Sequence, residues 1–264
     1  MFGEKIEVNG IFIHYEKVGS GKNVLLLLPG GLGTTRTDFS PQLDGFDKSK
    51  FTLIAWDPPG YGFSRPHERN YNPKLFENDA DLAALMMKNL GYKNYSVLGW
   101  SDGGKAALFM AIKYQSNVEK CVVWGVALWR NKQYTIVFQG TKDFAIWDQN
   151  LLQSMTKVYG KDEFKNMWGK HVDFFFQFGP NGLNIGETEH IIENESLKKI
   201  RCPVFVLHGD SDPFVLSEQL ENFNKIISDV RIYRFPRGKH NIHLQFPDEF
   251  KKVVQEFLLE EPEF

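Results

Sequence analysis

Gly99-Trp100-Ser101-Asp102-Gly103 sets a hydroxyl between two glycines, after the β-favouring run Tyr95–Leu98 and before the Ala-rich amphipathic run Lys105–Tyr114. A serine in this strand–turn–helix setting is lifted onto a sharp turn, and a Cβ at either flanking glycine would collide with the neighbouring strand or helix. The hydroxyl is a poor nucleophile at neutral pH. It needs a base, and the base needs a group that fixes its tautomer.

In an open parallel sheet such groups collect beyond the C-terminal ends of strands. Of seven histidines, His240 meets that criterion, in a Gly-containing loop after the last strand, Val230–Phe235. His243 begins the approach to the final helix and reads as structural or supporting. His14 falls in an N-terminal hairpin, His67 follows the Asp57–Ser64 loop, His208 anchors a turn before Gly209, and His171 and His190 belong to a later insertion. For the acid, Gly209-Asp210-Ser211-Asp212-Pro213 places Asp212 just past the penultimate strand, while Asp210 is suited to an Asx turn. Ser101, Asp212 and His240 are therefore the expected nucleophile, acid and base.

Acyl transfer also needs two donors aimed at the developing oxyanion. The amide of Asp102, at a helix N-terminus, is one candidate. The other is Gly31, in Pro29-Gly30-Gly31-Leu32-Gly33 after the first parallel strand, a loop that matches neither glycine pattern for phosphate binding. Gly30 and Trp124 are read as substrate-lining. The Asp102 carboxylate beside the nucleophile has two readings: stabilisation of the helix's first turn, or binding of a cation on the substrate, such as the α-ammonium of an amino-acid ester. The residue alone leaves both open.

The elements that must carry these groups alternate. Lys5–Val8 and Ile11–Glu16 flank Asn9-Gly10, a hairpin signal. Asn23–Leu28, Phe51–Trp56, Val118–Val126 and Cys202–His208 are apolar runs of the kind buried on both faces of a sheet. Helical patterns cover Lys74–Leu90, Ser217–Ile227 and Asp248–Leu259. The reading is an α/β chain, with a mostly parallel sheet and helices on both faces. From about 127 to 199 the chain turns polar and aromatic, with helical segments near 138–159 and 161–178 and no strand signal, and reads as a helical cap inserted into a core of residues 1–126 and 200–264.

With 264 residues, 42% hydrophobic, the chain can bury a full core, and a formal charge of −2 argues against nucleic acid or an anionic membrane as partner. The expected partner is a small-molecule ester, bound by a monomer. Cys121 and Cys202 read as two buried thiols of a reducing compartment. The N-terminal residues show no secretory or organellar leader pattern, which points to the cytoplasm, although a processed mitochondrial form would read the same.

Pro29-Gly-Gly-Leu-Gly, Asp57-Pro-Pro-Gly-Tyr-Gly-Phe-Ser64, Gly99-Trp-Ser-Asp-Gly-Gly104, His208-Gly-Asp-Ser-Asp-Pro213 and Gly238-Lys-His-Asn-Ile-His-Leu244 together resemble the α/β-hydrolase superfamily. The elbow, the Val-Val-Trp-Gly strand end and the Gly-Lys-His-Asn loop resemble its valacyclovir hydrolase-like group, over nearly the whole chain and most loosely in the cap. The resemblance implies an eight-stranded α/β-hydrolase fold and a serine hydrolase of α-amino-acid esters that needs no cofactor or metal. It matches Ser101, Asp212 and His240 to the triad and Asp102 to the carboxylate that receives the substrate ammonium. The chain departs from the group at Gly31, where the missing side chain is expected to widen the acyl pocket. The competing readings are a general carboxylesterase, lactonase or carbon–carbon bond hydrolase in which Asp102 only serves the helix, and a ligand receptor that keeps the triad without turnover.

Overall fold

The computed structural model describes residues 3–177 and 188–261. Strands β1 (Glu4–Val8) and β2 (Ile11–Gly19) form the antiparallel hairpin, and Asn9 and Gly10 at its turn both have positive φ, 51° and 78°. Then come β3 (Asn23–Leu28), helix α1 (Thr35–Gly45), β4 (Phe51–Trp56), α2 (Leu75–Asn89), β5 (Tyr95–Trp100), α3 (Asp102–Lys113) and β6 (Val118–Trp124). The insertion follows: β7 (Trp129–Asn131), α4 (Lys132–Gly140), α5 (Gln149–Tyr159), α6 (Lys161–Gln177), β8 (Thr188–His190) and α7 (Asn194–Leu197). The chain closes with β9 (Val204–Gly209), α8 (Glu218–Ile226), β10 (Val230–Phe235), α9 (Ile242–Gln245) and α10 (Pro247–Leu259).

Eight strands make one sheet in the order β1-β2-β4-β3-β5-β6-β9-β10, with β2 antiparallel to both its neighbours and the rest parallel. The chain runs outward from β3 to β4 and then returns to the other side of β3 with β5. That reversal opens a crevice beyond the C-terminal ends of β3 and β5, the two strands that lead into the Gly30-Gly31 loop and Ser101.

Alternation along the strands builds a core on each face. Leu26, Leu28, Val97, Cys121, Val123, Val204 and Val206 pack with α2, α3 and α8, whereas Leu25, Leu27, Leu98, Val122, Trp124, Phe205 and Leu207 pack with α1 and α10. A third apolar cluster joins the insertion's Phe138, Met155, Phe164, Trp168 and Phe175 to Leu32, Tyr61 and Val215 of the sheet's loops and to Phe76 of α2.

Three features depart from the sequence reading. Helix α1 was not signalled, because Pro41 lies inside it and few of its residues are apolar; a reciprocal capping box between Thr34 and Thr37 starts it. The pattern near 138–159 is two helices separated by a short 3-10 turn at Phe144–Ile146. The insertion also contains a strand pair, β7 with β8, too short to show periodicity. The expected helical residue 178 lies outside the described residues. Cys121 and Cys202 are free thiols, on neighbouring backbones joined by the Cys121 amide to the Pro203 carbonyl. Among the described residues no helix is long and apolar enough to cross a membrane.

Candidate active site

Ser101 joins β5 to α3 at φ 55° and ψ −114°, a conformation L-residues rarely occupy, and its amide donates to the Trp124 carbonyl at 3.0 Å. The glycines around it are required by contact. A Cβ at Gly103 would lie 2.0 Å from the Leu28 carbonyl oxygen, and one at Gly99 2.4 Å from the Gly103 oxygen.

His240 Nδ1 lies 2.8 Å from Asp212 Oδ2, and the other Asp212 oxygen accepts the amides of Phe214 (2.8 Å) and Val215 (3.2 Å). Burial pushes the Asp212 carboxyl upward, but the imidazole and those amides outweigh it and hold the group below the usual carboxylate range. An ionised Asp212 can only accept, so Nδ1 carries a proton, which in the neutral tautomer leaves Nε2 with a lone pair. The His240 carbonyl accepts the Trp100 indole N–H at 2.9 Å, tying this loop to the residue before Ser101. Gly125, at φ 62°, leaves room for the imidazole: a Cβ there would come within 2.9 Å of His240 Cε1.

Ser101, His240, Gly30, Gly31 and Asp102 all line one cavity of about 360 Å³. Asp38, fully buried, accepts the Gly30 amide at 2.9 Å and the Thr37 hydroxyl at 2.8 Å, anchoring the loop that carries Gly31; burial pushes its carboxyl up to about 7. Trp124 does not reach the cavity. It is fully buried in the sheet face that packs on α1 and α10, and its indole donates to His243 Nδ1 at 2.9 Å, so it supports the site from beneath instead of lining it.

The Asp102 carboxylate is buried, and Lys105, one helical turn on, donates to its Oδ1 at 2.8 Å. Burial would raise this carboxyl, yet the Lys105 ammonium outweighs it and keeps the group ionised, below the ordinary range. Oδ2 has no hydrogen-bond partner; His171 Nε2 lies 3.2 Å away without the alignment of a hydrogen bond. His171, from α6, occupies the space left by Gly31, since a Cβ there would fall 2.5 Å from Nε2. The expected widening at Gly31 is thus filled by an imidazole.

Sequence reasoning missed Lys105, His171, Asp38 and Gly125. The Asp102–Lys105 spacing of three on a helix was a usable signal. His171 carried none, being assigned only to the insertion.

A family model described as alpha/beta hydrolase fold matches residues 23–144. Serine hydrolase BPHL of Mus musculus and of Homo sapiens are each 40% identical to this chain over 256 residues, covering 96% of it and 85% of each relative. The crystal structure of a membrane phospholipase A, described as a novel bacterial virulence factor, superposes with a TM-score of 0.78 at 18% identity, over 97% of this chain and 85% of that one. At that identity the likeness is one of fold.

Proposed function

Because this chain belongs to the α/β-hydrolase family and its 40%-identical relatives are serine hydrolases, we propose that it hydrolyses small carboxylic esters of α-amino acids, using Ser101, His240 and Asp212. The Ser101 hydroxyl attacks the ester carbonyl as its proton passes to His240 Nε2, and Asp212 steadies the imidazolium that forms. The amides of Gly31 and Asp102 receive the oxyanion, a contribution of roughly 3–4 kcal/mol for a single well-placed donor. The imidazolium then protonates the departing alcohol, leaving an acyl-enzyme that water, activated by the same base, cleaves.

The observation that carries the amino-acid part of the reading is the unpartnered Oδ2 of Asp102, an ionised and buried acceptor on a residue that lines the cavity beside the nucleophile. A buried acceptor without a donor is costly, and a substrate ammonium supplies the missing donor together with an opposite charge. Phe138, Trp147, Leu151 and Trp168 of the insertion line the same cavity, which supports apolar acyl side chains and leaving groups and a capping role for residues 127–199. The test is kcat/KM for a valine ester and its N-acetyl derivative, on wild type and on Asp102→Asn. Wild type is expected to favour the free amine by about tenfold or more, and the variant to lose that preference. Equal rates for the two esters on wild type would leave an esterase in which Asp102 serves only the helix.

A further inference from the structure

Building on the reading that Asp102 meets the substrate ammonium, we propose that His171 Nε2 is the second acceptor of that ammonium, so that the site is a two-acceptor seat for a primary amine, formed by the core helix α3 and the inserted helix α6. Four observations place it. Lys105 occupies Asp102 Oδ1 and is itself held over the rings of Phe76 and Phe175, at 4.6 and 4.8 Å, so only Oδ2 is left to a ligand. His171 Nε2 faces that oxygen across 3.2 Å with no hydrogen bond between them. On the other side of the ring, Nδ1 lies 3.4 Å from the Tyr61 hydroxyl oxygen, a position from which it can donate. Gly31 has no side chain where the imidazole sits.

The chemistry follows from donor counting. Burial draws the His171 imidazole down to about 4, so the ring is neutral at pH 7. With its proton on Nδ1, toward Tyr61, Nε2 presents a lone pair to a carboxylate oxygen 3.2 Å away, and the two acceptors repel until a donor group alongside reaches both. A primary ammonium carries three N–H donors and can satisfy both, whereas a hydroxyl carries one. Lys105 offsets the Asp102 charge, so the seat selects chiefly by the number of hydrogen-bond donors. The groups facing His171 are Asp102, Tyr61, Tyr71 and the aromatic rings of Phe138, Trp168 and Phe175. Lys105 and Arg69 act on it more distantly, each lowering its proton affinity.

The experiment compares kcat/KM for an L-valine ester with that for the matching 2-hydroxy-3-methylbutanoate ester, in wild type, His171→Phe, His171→Gln, Gly31→Ala and Asp102→Asn. The ratio is taken within each preparation, so a loss of folded protein cancels. His171→Phe is expected to lower the amine-to-hydroxyl ratio about tenfold, through KM of the amine ester. His171→Gln, which restores an acceptor, is expected to stay within about threefold of wild type. Gly31→Ala, whose methyl displaces the ring, should fall with His171→Phe. A ratio unchanged in both His171→Phe and Gly31→Ala, but lost in Asp102→Asn, overturns the role of His171 and leaves Asp102 as the sole acceptor. A ratio unchanged in Asp102→Asn as well overturns the ammonium reading beneath it.

Discussion

Ser101 is held in a backbone conformation that costs of order 1–3 kcal/mol, sustained because β5, β6 and α3 over-determine the turn. Removing its hydroxyl leaves that framework in place. Ser101→Ala is therefore expected to keep the folding transition and substrate KM close to wild type while kcat falls at least about a thousandfold. Burst and steady-state kinetics with an activated ester check this, and a variant retaining near wild-type turnover would remove Ser101 from the chemistry. The neighbouring carboxylate poses a problem that the structure resolves. An isolated Asp102 charge would oppose the oxyanion forming beside it, but the Lys105 ammonium 2.8 Å away offsets it. The positions of Ser101, Asp212 and His240 were legible as single residues because each sits in a short, patterned turn. Trp124 was misread because strand position tells that a residue is near the site, not which face its side chain takes. In the register that pairs it with Trp100 and Leu207, its ring enters the core below.

Among the elements, the β5–α3 junction works only because Gly99, Gly103 and Gly104 let strand, loop and helix touch. The Gly103 Cα lies so close to the end of β3 that a methyl would fall 2.0 Å from the Leu28 oxygen and 2.5 Å from the Pro29 oxygen, both backbone atoms that cannot turn aside. Gly103→Ala is thus expected to destabilise the protein by about 3 kcal/mol or more, seen as a lower urea midpoint. An unchanged midpoint would mean that this junction tolerates a shift of α3. The central strands of the parallel sheet were legible from their continuous apolar runs, and helices α2, α3, α8 and α10 from periodicity and stop signals. Helix α1 was not, since its Thr34 and Thr37 caps satisfy the backbone locally while Pro41 imitates a breaker. Strands β7 and β8, three residues each, are defined only by meeting one another across nearly sixty residues.

For the whole molecule, the sheet is packed on both faces and a third apolar cluster joins the inserted segment to the rest, so buried titratable groups lie at the seams between layers. His171, at the seam with the insertion, is drawn down to about 4, and His243, between β6 and α10, to about 3, both by burial. Their folded values lie below the ordinary 6.5, so on acidification the unfolded chain takes up protons first, and the stability they contribute is lost as pH falls from about 6.5 toward 3–4. Asp38 has the opposite sign. Its folded value of about 7 exceeds the ordinary 3.8, so it favours the fold as pH falls between those limits. Asp102 and Asp212, both lowered, side with the histidines. The balance is an expected loss of about 2–4 kcal/mol between pH 7 and pH 4, measured as urea midpoints at the two pH values. Equal or greater stability at pH 4 would show that Asp38 dominates.

Apart from α1, β7 and β8, the order of strands and helices, the α/β-hydrolase fold and the residues proposed as nucleophile, base and acid were legible in short stretches of sequence, because each is marked by the pattern of a strand, a helix or a turn. The tertiary structure alone decided what surrounds Asp102. The spacing of Lys105 from Asp102 allows a pair but not its burial, and His171 lies seventy residues from Ser101, brought there by packing of α6 against the crevice and by the empty space at Gly31. Such meetings are set by how layers pack and by strand register, and neither leaves a periodic mark on the chain.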